Sequence, residues 1–125
     1  MLNWRRPTNL GVNGGRFAPC KRSPNCVSSQ ADPADREHYI APLKGTMDEV
    51  RGAVNSLPRT RIVLEQPNYL YAEFRSRLLG YVDDVEFFAD GGVIHVRSAS
   101  RLGRRDFGVN RNRVERLRAL ITQKP

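Results

Sequence analysis

The chain predicts an α+β fold: a two-layer, mainly antiparallel four-stranded sheet with two helices on one face, in the order α-β-β-β-β-α, preceded by an extended N-terminal arm. Two observations carry this reading. From Tyr69 to Arg101 the sequence runs through three alternating stretches with one apolar and one charged face, the period of half-buried strands. Flanking that stretch are two segments with apolar residues at helical spacing, and consecutive strands between helices favour an antiparallel sheet.

The elements follow in order. Residues 1–35 are rich in Pro, Gly, Asn and Ser without a sustained period, so an extended or partly disordered arm is expected there and a single α+β domain over residues 36–125. Thr46 with Glu49 forms a capping-box pattern, after which Met47, Val50, Val54 and Leu57 recur at helical spacing until Pro58 stops the helix. A strand over Arg61–Glu65 comes next, then the turn signal Gln66-Pro67-Asn68. The following strand turns Leu70, Ala72, Phe74 and Leu78 inward and Tyr69, Tyr71, Glu73, Arg75 and Arg77 outward.

Asp90-Gly91 is a two-residue hairpin signal, because both positions tolerate the positive φ of a type I′ turn. Pairing outward from it sets Phe87 opposite Ile94 and Val85 opposite Val96 on one face, with Glu86 opposite His95 and Asp84 opposite Arg97 on the other. A slip of one residue would move every apolar pair to the wrong face. The last helix is expected to open near Asn110 as N-cap, with Val114, Leu117, Leu120 and Ile121 on its apolar side.

Charge is segregated along the chain. Residues 1–26 carry five basic and no acidic side chains, 27–96 carry seven basic and eleven acidic, and 97–125 carry nine basic and two acidic, for a net +8. The basic C-terminal helix, after Arg101, Arg104 and Arg105, could track phosphates or another anionic surface. The blander reading is a helix kept soluble by its arginines. No zinc-finger spacing, aromatic RNA-binding box or helix-turn-helix pattern is present, so sequence-specific nucleic-acid binding is not expected. No apolar leader segment occurs and no run of about 20 apolar residues, so the chain's own reading is soluble and cytoplasmic, without a membrane span.

Two candidate sites remain. One is the outer sheet face, with Tyr69, Tyr71, Glu73, Arg75, Asp84, Glu86, His95 and Arg97, suited to a small anionic ligand or a protein partner or else simply a solvated face. Asp83 and Ser98 pair on the inward face beside Ser100 and Arg101, where buried polar groups need a satisfied network that can anchor the Cys26–Ser29 segment. The other site is Cys20-Lys21-Arg22-Ser23-Pro24-Asn25-Cys26. The two cysteines can close a disulfide in an oxidising compartment or stay thiols in a reducing one. A thiol-enzyme reading takes Cys26, or less readily Ser28, as nucleophile, His38 or His95 as base and Asp83 or Asp84 as orienting acid, with Lys21 and Arg22 lowering the thiol pKa. Cys20, Cys26 and His38 match no standard zinc spacing, so no metal and no cofactor are expected.

Four motifs, SPNCVSSQ, GYVDDVEF, VRSASR and GVNRxRVExLR, occur in this order. Through them the chain resembles the bacterial and plastid family called domain of unknown function 1499, over about Phe17 to Ile121. The resemblance implies no activity. Relatives often carry an N-terminal lipoprotein or membrane segment, which implies an envelope or lumenal setting from which this chain departs. Arg104-Arg105 is also more basic than the family's usual residues before Asp106-Phe107-Gly108. The functional expectation is therefore a small binding or structural module, with a thiol enzyme centred on Cys26 and a nucleic-acid or anionic-surface binder through the last helix as alternatives.

Overall fold

Strand pairing puts five strands, not four, into one antiparallel sheet. In the computed structural model, which describes residues 5–103 and 105–122, the elements are β1 (Cys26–Ser28), α1 (Met47–Ser56), β2 (Thr60–Gln66), β3 (Tyr69–Arg75), β4 (Val82–Asp90), β5 (Val93–Ser100) and α2 (Val109–Thr122). The sheet order is β1-β5-β4-β3-β2. The fifth strand comes from the N-terminal arm: Cys26, Val27 and Ser28 pair with Ala99, Ser98 and Arg97. Three residues are too few to show a period in the sequence, and this strand exists through its pairing with β5. Its far side is covered by the next loop, where Ser28 N donates to the His38 carbonyl at 2.7 Å.

Both helices lie on one face, where Val50, Val54, Val114, Leu117 and Ile121 pack with Leu70, Ala72, Phe74, Val85, Phe87, Ile94 and Val96. Thr46 accepts from Glu49 N while Glu49 accepts from Thr46 N, so the expected capping box starts α1. Asn110 does not cap α2. It is the second helical residue and fully buried, and the capping task falls to Asp106, whose carboxylate accepts from the N–H groups of Gly108 and Asn110. Of the basic pair before it, Arg104 lies outside the described residues.

The β4–β5 hairpin turns one residue later than expected. Gly91 and Gly92 both have positive φ, 60° and 85°, and Asp90 closes the ladder opposite Val93. A turn on Gly-Gly spares any side chain the left-handed conformation. Moving the turn by one moves every pair by two, so faces are kept and partners change. Phe87 is opposite Val96, Glu86 opposite Arg97 in place of His95, Asp84 opposite Ala99 in place of Arg97, and Asp83 opposite Ser100 in place of Ser98. The expected inward place for Leu78 also fails. The strand stops at Arg75, Ser76 N bonds the Tyr81 carbonyl, and Leu78 is 90% exposed in the turn between.

The turn assignment is testable by substitution. Gly92→Ala should destabilise the fold by roughly 1–2 kcal/mol, because an L side chain would occupy the left-handed region. Asp90→Ala should stay within about 0.5 kcal/mol. Urea midpoints in the reverse order would place the loop at Asp90-Gly91.

Candidate functional site

Alternation along β3, β4 and β5 sends Tyr69, Tyr71, Glu73, Asp84, Glu86 and Arg97 to the face away from the helices, and all six are buried there. The cover is the N-terminal arm. Phe17, with Leu10 and Val12, packs on Tyr69 and Tyr71. Arg6 donates through Nε and Nη2 to Glu73 Oε2 at 3.0 and 2.8 Å, and Gly11 N donates to Glu86 Oε1 at 2.7 Å.

At the centre is Arg101. Its Nη2 donates to Glu73 Oε2 at 2.7 Å and to Asp84 Oδ1 at 2.8 Å, and its Nε to Asp84 Oδ2 at 2.9 Å. Tyr71 directs its hydroxyl to Asp84 and Tyr69 directs its own to Glu86. Burial, reinforced by these carboxylates, raises both phenol pKa values above the ordinary range. Burial would raise the Glu73 carboxyl, but Arg6 and Arg101 outweigh it and hold it below the usual value. Glu86 and Arg97 are less well matched. They approach only to 3.8 Å, Glu86 Oε2 and Arg97 Nε have no hydrogen-bond partner among the described residues, and burial shifts the carboxyl up and the guanidinium down. The outer face is thus an internal charge network and not an open ligand surface. Of its expected binding residues, Arg75 stands apart and exposed, while His95 Nδ1 meets Ser29 Oγ at 2.9 Å.

The inward polar residues form a second network. Asp83 pairs with Arg113 at 2.7 Å, and burial raises its pKa against that cation. Ser98 Oγ donates to Asn110 Oδ1 at 2.6 Å, and Asn110 Nδ2 reaches Ser100 Oγ, the Asn25 carbonyl and Asp106. Asn110 therefore ties Asn25, the residue before β1, to β5 and the last helix. Sequence reasoning missed Asn25 and Asp106 and gave Asn110 another task. The available signal was the demand for partners set by Asp83, Ser98 and Ser100 at inward positions.

The cysteine box closes on itself: Cys20 and Cys26 are disulfide-bonded, with Cα atoms 5.7 Å apart. The supposed catalytic set is not assembled. The Cys26 sulfur is in the disulfide, Asp83 is held by Arg113, and His38 faces Asp35 Oδ2 at 2.8 Å through Nδ1 and the Ser23 carbonyl at 3.1 Å through Nε2. Both partners of His38 are acceptors, so making both bonds requires the imidazolium. Burial pulls its pKa down, but Asp35 and the Ser23 carbonyl prevail and raise it. Through these two contacts the ring clips the disulfide loop to residues 35–38.

Beside this clip lies a cleft of about 330 Å³ lined by Arg16, Phe17, Pro19, Gln30, Asp35 and His38, among others. Its floor is fixed by Gln30, which accepts from Phe17 N and donates to the Gly15 carbonyl. Three of the arginines of α2, Arg111, Arg113 and Arg118, turn back onto the chain. Arg111 donates to the carbonyls of Arg36, Glu37 and Tyr39, and Arg118 to those of Ala41 and Pro42. Among the described residues, no group of three potential metal ligands comes together, and no helix is long and apolar enough to cross a membrane.

A family model described as protein of unknown function (DUF1499) matches residues 16–121. No curated protein matches the chain.

Two predictions follow from the networks. Arg101→Ala should cost about 3–5 kcal/mol, because it leaves the buried Asp84 without its cation and Glu73 with Arg6 alone, and adding Asp84→Asn should restore part of the loss in denaturant melts. For His38 the folded pKa lies above the ordinary 6.5. Its contribution to stability is therefore fully present below about pH 6.5 and disappears as pH rises through the higher folded value. Denaturation midpoints measured across that window should fall, and His38→Gln should flatten the dependence.

Proposed function

The chain belongs to that family of proteins of unknown function, and from this premise we propose that it is a small binding module whose ligand site is the cleft between the arm and β1. The observation that carries the reading is the cleft itself. It offers apolar walls from Phe17, Ala18 and Pro19, the Arg16 guanidinium and the buried His38 ring, and it is bounded by the disulfide. Apolar walls with a few convergent polar groups suit a small organic molecule. An anionic group on that molecule would meet Arg16, with its apolar body along Phe17 and Pro19.

This moves the small anionic ligand from the outer sheet face, where the arm lies, to the arm's own edge. The thiol-enzyme reading has less support, because Cys26 has no free sulfur and both nitrogens of His38 are engaged. The nucleic-acid reading through α2 loses Arg111, Arg113 and Arg118 to contacts within the chain. A disulfide persists where the surroundings are oxidising, so we favour such a compartment over the cytoplasmic expectation.

Amide chemical shifts measured during titration with short-chain carboxylates and alkyl phosphates test the reading. The expected result is movement of Phe17, Gln30, Ala31 and His38, weakened roughly tenfold by Arg16→Ala, the loss of one charge-assisted hydrogen bond. Shifts confined to the sheet's far end, or none at millimolar concentration, would rule the cleft out.

A further inference from the structure

We propose that the end of the sheet where β3, β4 and β5 open into loops docks on an anionic lipid bilayer. Leu78, Leu79 and Phe107 enter the interface, and the basic side chains around them meet the headgroup phosphates.

Three loops converge at this end. Arg75 pairs with Val82, Asp83 pairs with Ser100, and Arg101 N donates to the Val82 carbonyl at 3.3 Å. Residues 76–81 and the segments 101–103 and 105–108 therefore follow from neighbouring strands at this end. The third loop, residues 21–25, is fastened to them: Ser100 N donates to the Asn25 carbonyl at 3.0 Å, and Asn25 Nδ2 to the Gly103 carbonyl at 2.7 Å.

The apolar content is concentrated. Leu78 is 90% exposed, Leu79 65% and Phe107 88%, with Tyr81 and Val109 partly exposed beside them. Among the described residues, Leu64 is the one exposed large apolar side chain located elsewhere. A scattered exposed leucine needs no explanation, whereas a cluster marks a contact surface. Phe107 adds an independent observation. Its φ of 53° lies in the left-handed region, where glycine or asparagine sits more easily. Its exposed ring gains no packing within the chain to offset that strain.

Charge selects the partner. Lys21, Arg22, Arg75, Arg77 and Arg105 are exposed at this end, and none forms an ion pair among the described residues. The nearby carboxylates are already engaged, Asp83 by Arg113, Asp84 by Arg101 and Asp106 by the start of α2. Unpaired cations around apolar tips fit a bilayer surface, which offers both phosphates and an apolar phase. A nucleic acid supplies only the first. The surface shares no residue with the lining of the cleft, so either assignment can fail without the other.

Co-sedimentation of the full chain with phosphatidylcholine vesicles, and with vesicles of phosphatidylcholine and phosphatidylglycerol, tests the proposal. Binding is expected to the anionic vesicles alone and should weaken as salt rises. It should fall roughly fivefold for each of Arg75, Arg77 and Arg105 changed to Gln, and roughly tenfold for each of Leu78→Ser and Phe107→Ser. Circular dichroism checks that each variant is folded. An environment-sensitive fluorophore on Leu79→Cys, with the native disulfide kept intact, should shift to the blue on anionic vesicles, which reads insertion without removing the other contacts. Absence of sedimentation, absence of the blue shift, or undiminished binding by folded Leu78→Ser/Phe107→Ser would overturn the proposal. So would equal affinity of that double variant and the native chain for duplex DNA alongside unaltered vesicle binding, or a patch that proves to join two copies of the chain and does not bind vesicles.

Discussion

Arg101, held between Glu73 and Asp84, sets the terms for the outer face of the sheet. Three carboxylates, Glu73, Asp84 and Glu86, are buried on that face, and a buried ion without a partner costs several kcal/mol. One guanidinium answers two of them. Tyr69 meets part of the demand of Glu86 from within the sheet, and the N-terminal arm adds Arg6 for Glu73 and Gly11 N for Glu86. The arm lies on the sheet through these bonds, and its Phe17 packs on Tyr69 and Tyr71. A sheet that alternates like a half-solvated one is thereby covered on both sides.

An arm laid across a face must also be fixed at its end. The disulfide closes residues 20–26, β1 adds that segment to β5, and the His38 ring clips Ser23 to Asp35. Residues 36–42 make few ladder bonds, so their carbonyls need other donors. Arg111 and Arg118 provide them from α2. A helix that reads as a row of solvated cations is in large part a set of fasteners for the preceding chain.

How much of this was legible in the sequence depends on how far each residue's partner lies along the chain. The capping box at Thr46, the strands β2 to β5 and the separation of Phe87 from Glu86 onto opposite faces all rest on neighbours within a few residues, and local pattern suffices for them. The exact pairing across β4 and β5 was missed because Asp-Gly and Gly-Gly are both acceptable turns one residue apart. β1 was missed because three residues carry no period. The burial of Glu73, Asp84 and Glu86 was hidden because a strand face covered by distant chain and a strand face covered by water have the same alternation. The Cys20–Cys26 pairing stood among several open readings, since the chemistry of two thiols depends on compartment as much as on spacing.

The division of charge along the chain has a structural reason that composition alone disguises. Basic residues crowd the two ends and acids outnumber bases only in the middle, a pattern that suggests anionic partners for both termini. Much of the complement is internal. The N-terminal Arg6 meets Glu73, and the C-terminal Arg101 and Arg113 meet Glu73, Asp84 and Asp83, so both basic ends fold back onto the acidic centre. What remains after those pairs form is the informative quantity. Exposed cations outside those pairs remain at several places, Arg61 and Arg116 among them, and those in the loops around Leu78 and Phe107 are set apart by the exposed apolar side chains beside them, so net charge acquires functional meaning only once the internal pairs have been subtracted.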